Sequence, residues 1–274
     1  MDICRKLVYN GNHNTNDWRI FKMMPTSQNM SWKDVNSITN FTENTVLNKS
    51  KKAKKIPNIL LASIQLMENF IKGIKNMNAY DAASTIVSDA NWIKKNSIDI
   101  FYDSDGNKVT ISLGKIYYID YGKTFCGELS YYHYGLCIGK RDGKLLIIPM
   151  RSGNDVFEYS YHPKNNPNGN KKYRQGLEQE GFQKNCILMI NDCKYISAGR
   201  IEKETVQISD DILNSIQIQV FQVEFPQLYT EYFGLKKTVE KDIKKINDQK
   251  ELIQSLKAEN NRYKQMLNHI KEKY

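Results

Sequence analysis

The apolar positions of this chain change period several times, and the changes divide it. Ile59, Leu60, Ile64, Met67, Phe70, Ile71 and Ile74 recur at intervals of three and four, which predicts one face of a helix beginning near Pro57. Proline suits a first turn, where its missing N–H leaves nothing unpaired. Ala79, Ala82, Ala83, Ile86, Val87, Ala90 and Ile93 repeat the spacing, with Asn78 or Asp81 able to cap a second helix. The two predict a helical hairpin over 56–96, its apolar face packed on the next domain or on a copy of itself. Residues 1–55 are polar and end in a lysine run from Lys49 to Lys55. This stretch is expected to be partly disordered, with Trp18, Phe21 and Trp32 able to dock locally.

At Ser97 the period changes to two. Ile98–Tyr102 and Lys108–Ser112 flank a polar turn and predict a strand-turn-strand. Asp103, Asp105 and Asn107 alternate as a calcium loop would open, but no carboxylate follows where such a loop needs one, so the segment reads as a turn. Three strand-like runs come next, Lys115–Tyr121, Tyr132–Ile138 and Leu145–Met150, the last two joined through a hairpin turn at Arg141, Asp142 and Gly143. Cys186–Ile190 predicts a further strand. A helix opens at Asp210 and Asp211, where acidic residues favour an N-terminus, and ends before Pro226. Between these, Pro163, Pro167, Gly169, Gly176 and Gly181 interrupt 154–183, which reads as a long loop.

After Gly234 there is neither proline nor glycine. Ile246, Gln249, Ile253, Leu256, Asn260, Tyr263, Leu267 and Ile270 occupy alternate a and d positions, which predicts a coiled coil over 235–274. The expected fold class is therefore α+β. A small β-barrel over 97–225 carries a helical extension at its N-terminal side and a coiled-coil helix at its C-terminal side.

Charge and composition narrow the function. The 274 residues carry a net charge of +10, from 40 Lys+Arg against 30 Asp+Glu. Such an excess favours polyanions through counterion release. The five cysteines, Cys4, Cys126, Cys137, Cys186 and Cys193, form no C-x-x-C pair and read as free thiols of a reducing compartment. No signal-like segment opens the chain, and no run reaches the ~18 apolar residues of a membrane span. A cytoplasmic protein without membrane contact is expected. Four histidines are too scattered for a metal cluster: His13, His162 and His269 read as surface residues, and only His133 lies inside a strand. No phosphate-binding loop, nucleophile elbow or zinc-protease motif is present, so no cofactor or metal is expected. Lys171, Lys172 and Arg174, with Tyr159, Tyr161 and Tyr173, have the types to track a single strand by charge and stacking.

The order of four motifs over about 112–224 resembles the MazF/PemK family of toxin endoribonucleases. Gly114-Lys115-Ile116-Tyr117-Tyr118-Ile119-Asp120-Tyr121-Gly122 matches the family's first strand. Gly127-Glu128 opens a loop in which His133-Tyr134 stands where Arg-Pro is usual. Ile148-Pro149-Met150-Arg151-Ser152 matches a strand ending in V-P-(I/L)-T-S, and Asp192 to Ile201 follows the family's later segment loosely. The resemblance implies an SH3-like barrel, a homodimer through the barrel or the coiled coil, and metal-free cleavage of single-stranded RNA. It makes His133 the acid or base, Arg151 the phosphate clamp and Ser152 a hydrogen-bond donor, while Glu128 orders the loop or accepts a proton. Lys194 and Arg200 would extend the positive groove, Tyr132 and Tyr134 would stack bases, and Asp120 would be structural. An antitoxin protein is the implied partner besides RNA. Because both family-catalytic positions are changed, the alternative is a barrel that binds RNA or protein without cleaving it.

Overall fold

The computed structural model of the chain describes residues 38–103, 105–125, 128–153 and 155–273. Trp18, Phe21, Trp32, Cys4, His13, Cys126 and Gly127 lie outside them. Two compact units result, one ending at Leu213 and one spanning Asn214–Tyr274.

The first unit is built on a sheet whose centre is the three runs of alternating apolar residues. Strand β1 (Lys115–Asp120) pairs antiparallel with β2 (Tyr132–Arg141), and β2 with β3 (Lys144–Arg151). The turn between β2 and β3 is the two-residue one expected. Asp142 and Gly143 have φ of 49° and 73°, the left-handed geometry that matches the twist of a hairpin. The chain continues through β4 (Ser160–Tyr161), β5 (Asn170–Gly176), β6 (Cys186–Met189), β7 (Lys194–Ser197) and β8 (Ile201–Gln207). The strand order is β4-β5-β6-β3-β2-β1-β8, with β7 also on β3. Only β4 and β5 are parallel among these pairings. The architecture is α+β, with an eight-stranded mixed sheet that is not closed.

Two sequence expectations need correction here. Segment 154–183 is not a long loop: it holds β4, β5 and single 3-10 turns at Phe157–Tyr159 and Glu178–Glu180. Its glycines permit close strand approach. A Cβ on Gly169 would lie 2.6 Å from the Ser160 carbonyl oxygen, and one on Gly176 would lie 2.8 Å from Cys186 Sγ. Conversely, the strands expected at 98–112 shrink to one bridge, Tyr102 with Lys108. The turn itself is present, with Asp103 Oδ1 accepting from the backbone N–H groups of Asp105 (3.0 Å) and Asn107 (2.8 Å).

Alternation along β1 decides the core. Tyr117, Ile119 and Tyr121 point to one face and are buried with Cys137, Leu145, Ile147, Ile196 and Ile201. Phe101 closes this cluster, its ring edge-on to Tyr117 at 6.4 Å. Each fully buried aliphatic side chain contributes about 1.5–3 kcal/mol. Burial also pushes the Cys137 and Cys186 thiols up to about 11 and about 12, so both are unreactive near neutral pH.

The predicted helices form, as α2 (Pro57–Ile74) and α3 (Ala79–Lys95), after a short α1 (Val46–Ser50). Asn78 caps α3, accepting from the Asp81 N–H at 2.8 Å. What α3 turns toward the sheet is its polar face. Ser88 and Asn91 donate to the Asp120 carboxylate at 2.9 and 3.2 Å, Thr85 meets the Tyr131 hydroxyl at 2.5 Å, and Lys95 pairs with Glu202 at 2.7 Å. The apolar stripe is left outside: Ile86 and Ile93 are 51% and 72% exposed, and Ile64 and Met67 of α2 are exposed too. The apolar stripe of α3 thus does not pack on the sheet, the first of the two partners expected for it. A buried carboxylate left without donors costs several kcal/mol, so Asp120 selects the face that carries donors.

The second unit holds most of α4 (Asp210–Glu224) and all of α5 (Pro226–Lys273). The tail helix starts at Pro226 rather than 235, because proline opens a helix as readily as it ends one. Phe221, Tyr229, Tyr232 and Phe233 cluster at the junction, the closest rings 4.4 Å apart. Among the described residues no helix is long and apolar enough to cross a membrane.

Candidate nucleic-acid groove

The face of β1 opposite the core is aromatic. The register sets Tyr118 beside Tyr134 and Asp120 beside Tyr132. Tyr118 stacks on Tyr132 (5.6 Å, 22°) and leans on Tyr134 (5.0 Å, 51°), with Lys203 Nζ 5.3 Å from its ring centre. Across the next ladder, Tyr134 pairs with Met150, so the following rung brings His133 of β2 beside Arg151 at the end of β3. An open groove of about 220 Å³ forms there, lined by Tyr118, Tyr132, His133, Tyr134, Arg151, Ser152, Phe182 and Lys184, among others.

Three of the polar residues that line it have defined surroundings. His133 is held down to about 4, first by burial and then by the Arg151 charge, with a hydrogen bond to the Ser130 backbone working the other way. It is neutral at pH 7 and therefore a base rather than an acid. Arg151 Nη2 donates to both carboxylate oxygens of Asp155, at 2.9 and 3.0 Å. Tyr132 accepts from Asn91 at 2.6 Å, and burial followed by the Asp120 and Glu202 charges pushes its hydroxyl up to about 12. Its hydroxyl is thus committed to α3, and its ring is what the groove presents.

The entry to β2 is strained. Tyr131 has φ of 61°, a left-handed conformation that costs a bulky residue of order 1–3 kcal/mol. Backbone hydrogen bonds Tyr131 N–H to Gly122 O and Tyr121 N–H to Tyr131 O, both 2.8 Å, hold it in place together with the Thr85 contact. Gly122, at φ 77°, meets the same turn from the other side. The pinned turn fixes where Tyr132 and His133 begin.

Of the residues expected at the site, His133, Arg151, Ser152, Tyr132 and Tyr134 line the groove. The others stand elsewhere. Glu128 is exposed on the loop before β2, where its backbone oxygen accepts from Thr124. Lys194 pairs with Asp192 at 3.1 Å on β7, at the opposite end of β3 from Arg151. Arg200 spends Nη1 on the Asp120 backbone oxygen at 3.0 Å. Lys171 and Lys172 are exposed on β5, two strands away from β3. Tyr118, Lys184 and Lys203 were missed by sequence reasoning. Alternation along β1 was enough to find Tyr118, since it shares a face with Asp120; nothing local marks Lys184, which comes from the connection before β6.

A second histidine cluster is hidden in the sheet. His162, expected at the surface, is buried, its Nδ1 accepting from the N–H groups of Lys164 (3.2 Å) and Asn165 (2.9 Å). Its Nε2 lies 3.3 Å from Glu180 Oε1, and the same oxygen is 3.0 Å from Nη2 of fully buried Arg174. Arg174 is therefore no RNA contact. Among the described residues no group of His, Cys, Asp and Glu could hold a metal ion. No family model matches the chain, and no curated protein matches it.

Proposed function

We propose that the chain is a MazF/PemK-like endoribonuclease of the cytoplasm that binds single-stranded RNA in the Tyr118–Tyr134 groove and cleaves it by transesterification. The observation that supports this reading is that a neutral histidine and an arginine, His133 and Arg151, line the same open groove as Tyr118, Tyr132 and Tyr134. On this reading β1, β2, β3, β6 and β7 correspond to the family's small SH3-like barrel, and β4, β5 and β8 extend it.

The chemistry follows from the residue types. His133 takes the proton of a ribose 2′-hydroxyl, the 2′-oxygen bonds to the neighbouring phosphorus, and the bond to the 5′-oxygen breaks. Arg151 carries the charge that builds on the phosphoryl oxygens, and the leaving 5′-oxygen takes its proton from solvent in the groove. A 2′,3′-cyclic phosphate results. Tyr118 and Tyr134 hold bases by stacking, worth about 1–3 kcal/mol per base. Lys184 and Lys203 draw in the backbone, and an antitoxin would act by covering the same groove.

The test is incubation of purified protein with mixed single-stranded RNA in EDTA. Cyclic-phosphate ends that disappear in His133→Ala and Arg151→Ala support the proposal; intact RNA across varied sequences overturns it. The Arg151–Asp155 pair favours a second reading, in which the groove binds RNA without cleaving it. Salt-dependent RNA affinity with no turnover would select that reading.

A further inference from the structure

We propose that α5 is the dimerisation element of this protein and that it pairs with a second copy in parallel and in register over Ile246–Ile270. The proposal stands apart from the RNA reading. The helix is continuous through Lys273. Its seam residues Ile246, Ile253, Leu256, Tyr263, Leu267 and Ile270 are each about half exposed, between 49% and 56%. A stripe recurring every 3.5 residues on a helix that is otherwise strongly charged needs a partner whose stripe has the same period.

Three features choose a second copy, and choose its direction. Isoleucine at a (Ile246, Ile253) with leucine at d (Leu256) is the combination that favours two parallel strands. Asn260, also at a, meets its own counterpart when the strands are parallel and unshifted, whereas a parallel pair shifted by a heptad buries it against Ile253 or Leu267. The flanking charges agree. The e positions from 250 onward are Lys250, Lys257, Lys264 and Lys271. An antiparallel pair would set these lysines against each other. A parallel pair sets Lys264 against Glu259 of the partner helix, and lays Lys257 and Lys271 over Leu252 and Met266, which cover lysine stems well. One like-charge contact remains, Lys245 with Lys250.

The seam also has a marked end. Asp242 falls at d, and parallel pairing brings two copies of it together, which opposes association N-terminal to Ile246. The chain preceding Pro226 enters the pair from the same end in both copies, so two copies of the upstream chain are tethered together.

The experiment uses the full chain. Sedimentation should give a mass twice that of the chain. Leu256→Asp combined with Leu267→Asp should give a monomer with an unchanged near-ultraviolet spectrum for the sheet unit. Asp242→Leu should tighten the dimer by at least tenfold. Orientation is read from Leu267→Cys, which should oxidise to a covalent dimer through that residue, absent from the unsubstituted chain treated alike. A monomeric wild type, a trimer or larger assembly, a double variant that stays dimeric, or failure of Leu267→Cys to cross-link would each overturn the proposal.

Discussion

The molecule contains the same two residue types, a histidine and an arginine, assembled twice with opposite results. In the core, Glu180 lies between Arg174 and His162, one of its oxygens 3.0 Å from the guanidinium, which it binds, and 3.3 Å from Nε2. The cluster is sealed, and its Arg174–Glu180 pair ties β5 to the turn that follows it. In the groove, the carboxylate of Asp155 pairs with Arg151, while His133 has the cation and a hydrogen bond to the Ser130 backbone beside it. That site stays open, with a base kept deprotonated and a guanidinium at its side. What separates the sealed cluster from the open one is where the carboxylate stands, not which basic residues are present.

The sharpest way to break this comparison is Glu180→Ala. It leaves the buried Arg174 guanidinium without its counter-charge, for which we expect a loss of about 3–5 kcal/mol in denaturant unfolding. RNA affinity per folded molecule should not change. A loss below about 1 kcal/mol would mean that the cluster does not hold the fold.

The second prediction concerns pH. The folded His133 lies at about 4 against an ordinary 6.5, so the unfolded chain takes up the proton first as pH falls. The neutral-state stability is present above about 6.5 and is lost as pH drops toward 4. Unfolding free energies of wild type and His133→Gln, measured at pH 7 and 5, should show a smaller fall in the variant. Equal falls would place His133 in solvent rather than in a desolvated wall.

The smallest effect on stability, and the finest probe of the groove, is Asp155→Asn. An exposed pair of this kind is worth about 0–1 kcal/mol, so folding should barely change. Without the Asp155 charge, Arg151 should bind RNA more tightly, with the salt slope of log affinity steeper by about 0.7 for one added phosphate contact. Unchanged affinity and slope would show that Arg151 does not face the RNA.

Much of the fold was legible from local pattern. The helices at 57–74 and 79–95, the hairpin turn at Asp142 and Gly143, and the strands around Tyr117, Leu136 and Ile148 follow from spacing and turn chemistry, which act over a few residues. Half of the expected site was legible for the same reason: Tyr132, His133, Tyr134, Arg151 and Ser152 lie within or just past two hairpin-linked strands. Lys194, Arg200, Lys171 and Lys172 were misplaced because their positions depend on which end of β3 each later strand joins, and charge says nothing about that. The strands β4 and β5 were missed because glycine and proline mark a turn and a close approach with the same letters.

By itself, then, the sequence determined the local elements, the basic surface, the three-tyrosine alternation and the a/d period of the tail, all consequences of short-range sterics and side-chain periodicity. Only the tertiary structure decided that α3 meets the sheet through its polar face, because the demand of buried Asp120 for donors outweighs the burial of Ile86 and Ile93. Only it decided, too, that His162 and Arg174 are buried beside Glu180 while His133 and Arg151 line an open groove. Long-range register and desolvation set those environments, and neither is written in any short window of the chain.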